Sequence, residues 1–373
     1  MNFLFACGGT AGHINPALSI AEELQKRTED AKILFVGAGR DMEKKLIPNA
    51  GYELVNIKMS GIKRGFSPKD LRHNVKTLKN LILAGGKAER IIKKFAPDAV
   101  IGTGGYICYP VLKKAAKMNI PTVIHESNAI PGLTTKMLSS TVDKVLTAFP
   151  GLENEYKRPG SVVFTGTPVR GGFESIAEDI KTQDSSKKPL VLSFWGSLGA
   201  GRMNEIITEF IRLNINNESF DHIHAVGRDC NVTEIKNKLA EMITPDVLPD
   251  NITVTEYIDD MHTVMSKADL ILCRAGGSTL AELTSMGKPA VLIPSPYVSN
   301  DEQIKNARQL QKAGGAVIIE EKNCTAEILF NTVTEILNDK DRLERMASAQ
   351  LSIGVPGATK KIAELILSLC KGS

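Results

Sequence analysis

The chain has 373 residues, 42% of them hydrophobic and 24% charged, and its formal net charge is +4. This length predicts two domains of ordinary size, and the composition is typical of a globular protein. No apolar run approaches the roughly 20 residues that span a bilayer, and the first residues lack the basic region of a signal peptide, so we expect neither a membrane span nor export.

The first half of the chain alternates short apolar runs with helical patterns, which predicts a parallel sheet with helices on both faces. The candidate strands are Phe3–Ala6, Lys32–Val36, Ala99–Gly102, Thr122–His125 and Lys144–Thr147. A glycine-rich loop, GGTAGHINPA, follows the first strand, and its glycines allow a ligand to approach the backbone closely. We expect Asn15 to cap the next helix and Pro16 to begin it. A plain strand-to-helix turn is the alternative interpretation of this loop.

The opening loop does not match a dinucleotide-binding fingerprint. Its glycine spacing differs from G-x-G-x-x-G, and no carboxylate precedes Asp41 at the end of the second candidate strand. Nicotinamide binding, and with it a dehydrogenase, is therefore disfavoured.

Residues 69–94 form a basic segment with eight Lys or Arg, two acids and apolar residues at helical spacing. This pattern predicts an amphipathic helix that contacts an anionic membrane surface. A helix packed on the sheet with a solvated basic face is the alternative.

His125 and Glu126 end an apolar strand, where doubly wound sheets place their ligands. They are candidates for proton transfer, with a structural polar pair as the alternative. Arg170 follows GTPV near the expected hinge and is a candidate for a bidentate phosphate contact, with an exposed structural arginine as the alternative.

A domain boundary is expected near Thr165–Gly172, where the alternating pattern pauses before a polar stretch. The alternation of strands and helices resumes with a candidate strand in PLVLSF. Further candidate strands follow at His224–Val226, Thr253–Glu256, Leu270–Cys273, Ala290–Ile293 and Ala316–Ile319. The stretches from Asp98 and from Asp269 share one plan of strand, Gly-Gly pair, helix and strand. We therefore predict an α/β protein of two doubly wound domains, 1–166 and 167–356, that face a cleft.

The second domain has two glycine-rich loops that are typical of phosphate sites. Trp195–Gly201 offers the hydroxyl of Ser197, and Arg274–Glu282 places backbone amides at a helix N-terminus, where they suit a diphosphate. Glu282 lies one turn into that helix, where it is placed to accept both hydroxyls of a ribose. An ordinary surface glutamate is the alternative.

The six cysteines lie far apart and form no C-x-x-C pair. This spacing argues against a zinc site or a disulfide framework and predicts free thiols in a reducing compartment. No Asp-x-Asp ends a candidate strand, so we expect no metal and no cofactor. Aromatic residues make up 5% of the chain and do not interleave with the basic segment, so nucleic-acid binding is not expected.

Together these stretches resemble one family over nearly the whole chain. Eight motifs resemble, in sequence and in order, those of the bacterial UDP-N-acetylglucosamine:undecaprenyl-diphospho-muramoylpentapeptide N-acetylglucosaminyltransferases. They are GGTAGHINPAL, GTGGYICYPV, IHESNAIPG, GTPVR, WGSLGA, TEYIDDM, CRAGGSTLAE and NDEQIKNA. The resemblance implies the GT-B fold, an N-terminal domain for the lipid-linked acceptor, a C-terminal domain for UDP-N-acetylglucosamine, and a last helix within 357–373 that returns to the N-terminal domain. It also implies a peripheral location on the cytoplasmic face of the cell membrane.

The resemblance further implies which positions contact the donor. Its sugar, diphosphate, uracil and ribose are assigned to Thr10, Ala11, Gly12, Asn128, Arg170, Ser197, Ile258, Gly277, Ser278, Thr279, Leu280, Ala281, Glu282 and Gln303. Within this set, Arg170 and Ser197 match diphosphate contacts, Ile258 a backbone contact to uracil, and Glu282 the ribose. Departures from the family pattern stand at Ala11, at Trp195, and at Glu302 beside Gln303.

The implied reaction is an inverting transfer, in which the muramoyl 4-hydroxyl attacks the anomeric carbon and UDP leaves. We expect His13 to be the base, because a histidine titrates in the right range; Glu126 is the second candidate, with His125 orienting or assisting it. Helix N-termini and Arg170 are expected to stabilise the leaving diphosphate. The alternatives are another UDP-sugar enzyme of this fold, such as a 2-epimerase or a glycolipid glycosyltransferase, and a nonenzymatic membrane-docked binding module.

Overall fold

A computed structural model describes residues 1–59, 83–169, 173, 188–243 and 247–372 of the chain. The chain divides into two compact units. The first unit comprises Met1–Arg170 and Val355–Ser373, and the second comprises Gly171–Gly354.

The first unit is built on a seven-stranded parallel sheet in the order β3-β2-β1-β4-β5-β6-β7. Its strands are β1 Asn2–Cys7, β2 Lys32–Gly37, β3 Glu53–Asn56, β4 Ala99–Gly104, β5 Thr122–Glu126, β6 Lys144–Thr147 and β7 Val162–Phe164. Its helices are α1 Ala11–Arg27, α2 Asp41–Asn49, α3 83–95, α4 Cys108–Lys117, α5 Leu133–Leu138 and the last helix, α13 Ala358–Lys371. The strand order reverses between β1 and β4, and ligands of doubly wound sheets bind at such a reversal.

The two central strands carry the core because both of their faces are covered. All of β4 and all of β1 beyond Asn2 are buried, as the near-continuous apolar runs predict. On one face Phe5 stacks on Phe35 of the neighbouring strand, with ring centroids 5.1 Å apart. The two strands therefore hold the loops at their carboxyl ends on a rigid base.

Helix α13 completes this core from the far end of the chain. It packs against α1, and its Ile362, Ala363 and Ile366 are fully buried among residues of β1 and α1. An ion pair of 2.8 Å joins Arg27 of α1 to Glu364. The first unit is thus discontinuous in sequence.

The second unit repeats the architecture with six parallel strands in the order β10-β9-β8-β11-β12-β13. Its strands are β8 Leu190–Phe194, β9 Asp221–Ala225, β10 Ile252–Thr255, β11 Leu270–Cys273, β12 Ala290–Leu292 and β13 Ala316–Ile318. Its helices are α6 Gly201–Asn217, α7 Val232–Met242, α8 Met261–Lys267, α9 Gly277–Met286, α10 Glu302–Ala313, α11 Ala326–Asn338 and α12 Lys340–Ile353. The prediction of two doubly wound α/β units is confirmed.

The predicted start of the first helix is wrong. Helix α1 begins at Ala11, four residues before Asn15, and Thr10 is its N-cap residue. Backbone N–H groups of His13 and Ile14 already bond the Thr10 carbonyl, so the glycine-rich turn itself closes the first helical turn. Pro16 lies inside the helix, where its missing N–H removes one interior bond.

The basic segment 69–94 falls partly outside the described residues, which resume at residue 83. Its described part belongs to α3, whose Ala84, Ala88 and Ile92 are buried against the sheet. Glu89 pairs with Lys93 and with Lys114 of α4, each at 2.9 Å, and these lysines lower the pKa of its carboxyl to about 2. This part of the segment is therefore a packed helix with a charged outer face.

Candidate functional site

The opening loop follows β1 at the point where the strand order of the sheet reverses, and its contacts fix the orientation of His13. The imidazole Nδ1 lies 2.9 Å from the Gly8 carbonyl oxygen. A carbonyl oxygen only accepts, so Nδ1 carries the proton and Nε2 holds the lone pair. Within the described residues, Nε2 makes no hydrogen bond. A half-buried imidazole in this tautomer is set to accept a proton at Nε2.

Two glycines at the end of β4 make room for that loop. A Cβ on Gly104, whose φ is +125°, would lie 2.3 Å from Cδ2 and 2.7 Å from Nε2 of His13. A Cβ on Gly105 would lie 2.5 Å from the Gly8 carbonyl oxygen. Thr103 adds a hydrogen bond of 2.6 Å from its hydroxyl to the backbone carbonyl of His13. The motif GTGG is thus the packing surface for His13, a role that its sequence alone does not reveal.

His125 is fully enclosed and occupied at both ring nitrogens. Nε2 lies 2.9 Å from the Gly166 carbonyl and must be its donor, while Nδ1 accepts from the Ser127 hydroxyl at 3.3 Å. Burial lowers the pKa of His125 to about 4, so the ring is neutral at pH 7. These contacts favour the structural alternative, and an assisting role for His125 stays a prediction.

Glu126 holds the loop that follows β5. One carboxylate oxygen accepts the backbone and side-chain N–H groups of Asn128, both at 3.2 Å. The other accepts the Gly132 N–H at 2.9 Å and the Thr135 hydroxyl at 2.7 Å. With both oxygens engaged and the side chain buried, Glu126 is placed to fix Asn128 rather than to take a proton. Its role as a base stays a prediction that the geometry disfavours.

The other predicted sugar contacts of the first unit gather along the same sheet edge. Thr10 caps α1 and is exposed, while Ala11 and Gly12 form the first turn of that helix and are half-buried. Asn128 follows β5, two strands away from β1 in the sheet. Arg170 lies outside the described residues.

In the second unit, the loop after β8 is pressed onto the loop after β9. A Cβ on Gly199 would lie 2.1 Å from the Val226 carbonyl oxygen. The Arg228 N–H donates to the Ser197 carbonyl at 3.1 Å. The Arg228 guanidinium lies 3.8 Å from the centroid of the Tyr257 ring, directly before the predicted uracil contact Ile258. Arg228 thus joins the segments that carry two predicted donor contacts, a role that sequence reasoning missed.

The predicted diphosphate and ribose positions form the start of α9. Its N-cap residue is Gly276, and the helix opens with Gly277, Ser278, Thr279, Leu280, Ala281 and Glu282. Leu280 and Ile258 are both buried, so their side chains are not open to a ligand. The first N–H groups of such a helix attract an anion.

A cavity of about 420 Å³ lies beside these loops in the second unit, lined in part by Trp195, Arg202, Tyr297 and Gln303. Gln303 accepts the Ser295 N–H at 2.8 Å, which fixes its side chain at the start of α10.

The same cavity is lined by a buried ion pair. The guanidinium of Arg274 lies 2.6 Å from the carboxylate of Glu321, which is 3% exposed, and donates to the Ile293 carbonyl at 3.0 Å. Its charge lies 6.0 Å from the ring centroid of Trp195, whose indole packs beneath it. Neither Glu321 nor the pairing was predicted, because the two residues are far apart in sequence.

Family models match both halves of the chain. The glycosyltransferase family 28 N-terminal domain matches residues 3–147, and the family 28 C-terminal domain matches residues 190–366. The chain belongs to glycosyltransferase family 28.

Similar proteins place this family 28 chain within a narrower group. The UDP-N-acetylglucosamine--N-acetylmuramyl-(pentapeptide) pyrophosphoryl-undecaprenol N-acetylglucosamine transferase of Acetivibrio thermocellus is 41% identical, over 100% of this chain and 99% of the relative. The protein of the same name from Bacillus cytotoxicus is 37% identical, with 100% of both chains covered. The resemblance to this group of transferases is therefore confirmed.

Solved structures agree on the fold. The crystal structure of Acinetobacter baumannii MurG has a TM-score of 0.77 and 28% identity, covering 98% of this chain and 99% of that one. A Neisseria meningitidis UDP-GlcNAc 2-epimerase bound to UDP-GlcNAc has a TM-score of 0.67 at 17% identity, over 99% of this chain and 100% of that one. The second likeness is one of fold alone, and the GT-B prediction is confirmed.

Proposed function

We propose that this protein transfers N-acetylglucosamine from UDP-N-acetylglucosamine to the 4-hydroxyl of undecaprenyl-diphospho-N-acetylmuramoyl-pentapeptide, which converts lipid I into lipid II in peptidoglycan synthesis. The observation that carries the proposal is the 41% identity over the full length to a transferase named for this reaction. The epimerase alternative rests on a likeness of fold at 17% identity and is not favoured.

In the proposed mechanism His13 is the base. The acceptor hydroxyl gives its proton to Nε2 while its oxygen forms the bond to the anomeric carbon. The bond from that carbon to the diphosphate oxygen breaks, and UDP leaves with the electron pair, so the configuration at this carbon inverts. The hydrogen bond from Nδ1 to the Gly8 carbonyl keeps the lone pair on Nε2 until the proton is transferred, and it then holds the imidazolium that forms.

The donor is proposed to lie on the loops of the second unit. Backbone N–H groups at the start of α9 hold the diphosphate and stabilise the charge that develops as UDP leaves. Glu282 accepts the ribose hydroxyls, and the backbone of Ile258 contacts the uracil. Ser197 and Arg170 contribute to the diphosphate, and Gln303, Asn128 and the Thr10–Gly12 turn contact the sugar.

One assay separates the candidate functions. UDP release is measured with UDP-N-acetylglucosamine, with and without the lipid-linked muramoyl acceptor. Release that requires the acceptor and matches the glycosidic bond formed, mole for mole, supports the proposal. Epimerisation of the donor without acceptor, or UDP binding with no turnover in either condition, would overturn it.

The identity of the base is tested by two substitutions. His13→Ala is expected to lower kcat by about 100-fold or more, since general base catalysis contributes about 10²–10⁴. Glu126→Gln keeps the volume and the two hydrogen bonds on its one remaining oxygen, and it loosens the loop that carries Asn128. It is therefore expected to raise the KM for the donor more than it lowers kcat. The opposite ranking of the two kcat values would make Glu126 the base.

We also propose that the protein is peripheral to an anionic membrane at the cytoplasmic face. Lys87, Arg90 and Lys94 of α3 are exposed and recur at helical spacing from Leu83, which is 65% exposed, so cations and an apolar side chain share one face of the helix. Among the described helices, none has the length and apolar character that crossing a membrane requires. Charge reversal at Lys76, Lys79 and Lys87 is expected to weaken binding to vesicles with anionic lipid; unchanged binding would contradict the membrane contact.

A further inference from the structure

We infer that Glu43 is a positioning residue for the transfer, whose carboxylate holds the Gly8–Gly9 peptide and, through it, the orientation and tautomer of His13. This inference rests on the proposed function of His13. No carboxylate was expected to act at the end of the second strand, and Glu43 supplies one from within α2.

Glu43 is fully buried and accepts three backbone hydrogen bonds. It is the third residue of α2, and its Oε2 accepts the N–H groups of Gly39 at 2.8 Å and Arg40 at 3.1 Å. Those two bonds fit a glutamate that reaches back to the start of its own helix. Its Oε1 accepts the Gly9 N–H at 2.9 Å, from a loop 34 residues earlier. Capping of α2 does not require this third bond.

Two glycines leave the space that the carboxylate fills. A Cβ on Gly8 would lie 2.4 Å from Oε1 of Glu43, and a Cβ on Gly37 would lie 2.6 Å from Oε2. Strand β2 thus ends in a residue without a side chain, and β1 is followed by one, at the point where the carboxylate enters. The opening loop and the loop after β2 are shaped around Glu43.

The link to His13 runs through a single peptide group. The Gly9 N–H that donates to Glu43 and the Gly8 carbonyl that accepts from His13 belong to the same amide. That amide is planar, so fixing its N–H also aims its carbonyl. The carboxylate polarises the amide, which strengthens the hydrogen bond from Nδ1. Carboxylate, peptide and imidazole therefore form one hydrogen-bonded chain that ends at the lone pair of Nε2.

Glu43→Gln tests this chain selectively. The glutamine oxygen keeps two N–H partners if it faces Gly39 and Arg40, which turns its NH₂ group toward the Gly9 N–H and breaks that bond. We expect kcat to fall by about 10- to 100-fold because the imidazole is no longer held in place. The KM for UDP-N-acetylglucosamine is expected to stay within about twofold, since no donor contact is removed. Asp41→Asn, which removes an exposed acid from the same helical turn, is the matched control and leaves kcat unchanged.

A double-mutant cycle separates positioning from general stability. In a His13→Ala background, Glu43→Gln is expected to cause no further loss of kcat, because the two residues act through one another. An equal fold-loss in both backgrounds, or a wild-type kcat for Glu43→Gln, would overturn the inference. If His13→Ala itself keeps a wild-type kcat, His13 is not the base. That result contradicts the proposed mechanism and is distinguishable from a failure of the Glu43 inference alone.

The tautomer of His13 gives a readout that does not depend on activity. In ¹⁵N spectra of the wild-type protein, assigned by comparison with His13→Ala, the His13 ring is expected to carry its proton on Nδ1. A proton on Nε2 would overturn the inference without any change at Glu43. In Glu43→Gln the two tautomers are expected to mix, and in Glu43→Asp, which keeps the charge, the Nδ1 form is expected to recover in part.

Discussion

Gly104→Ala is expected to inactivate the enzyme by displacing the imidazole of His13, although His13 itself is not substituted. The added Cβ would lie 2.3 Å from Cδ2 and 2.7 Å from Nε2, whereas ordinary contacts begin near 3.4 Å. The imidazole must therefore retreat by more than 1 Å along the shorter vector. A displacement of about 1 Å in a catalytic group costs about 100-fold in rate, or about 2.7 kcal/mol of transition-state stabilisation.

The substitution also strains the backbone, because Gly104 has a φ of +125°. That strain costs about 1–3 kcal/mol of folding stability and must be separated from the catalytic effect. Gly151→Ala is the matched control, since Gly151 has a φ of +75° and an added methyl group there would meet no atom within 4 Å. Gly151→Ala is expected to lower Tm and leave kcat unchanged.

The assay is steady-state UDP release at saturating donor and acceptor, with Tm measured on the same samples. We expect kcat of Gly104→Ala to approach that of His13→Ala, and the KM for the donor to change little. A kcat within a fewfold of that of Gly151→Ala would refute the reasoning, because the ring would then be free to move without loss of function.

Three further predictions concern stability and donor binding. Burial lowers the pKa of His125 to about 4, of His224 to about 3 and of His222 well below its usual range. The unfolded chain therefore takes up these protons first, and stability falls as the pH drops below about 6.5. From pH 7 to pH 5 His125 and His224 each remove about 2 kcal/mol of stability, and His222 acts in the same direction. Urea unfolding followed at Trp195, the single tryptophan, should show the loss for the two histidines of the second unit. Glu321→Ala strands the buried Arg274 guanidinium and is expected to cost about 3–5 kcal/mol in the same unfolding assay, whereas a change below about 1 kcal/mol would mean that the pair contributes little. Arg228→Ala removes the contact with Tyr257 and is expected to raise the donor KM about 3- to 10-fold with little change in kcat, and an unchanged KM would contradict its proposed role in joining the two loops.

Much of the fold follows from local sequence pattern, because the central strands are buried on both faces and their apolar runs are continuous. The short edge strands Glu53–Asn56 and Val162–Phe164 were missed, since three or four half-exposed residues leave little pattern. The start of α1 was misplaced because Asn15 and Pro16 resemble a helix start, while the observed cap at Thr10 makes no side-chain bond that a sequence would reveal.

The candidate site was only partly predictable for a different reason. His13 stands out by residue type within a glycine-rich loop, so its candidacy came from the sequence. Glu43 and Gly104 act on it across 30 and 91 residues, through contacts that exist only once three parallel strands are aligned. Arg228 and Tyr257 likewise meet only because β9 and β10 are neighbours. Periodicity carries no information on such pairings.

The return of α13 to the first unit sets an order for folding during synthesis. Ile362, Ala363 and Ile366 are translated after the whole of the second unit, yet they cover the apolar side of α1, the helix that carries His13. A nascent chain therefore has every residue of the second unit before it has the residues that finish the first. His13, the proposed base, thus lies on a helix whose packing partners are translated last. A ribosome that stops before Ala358 releases a chain with this apolar surface open to solvent.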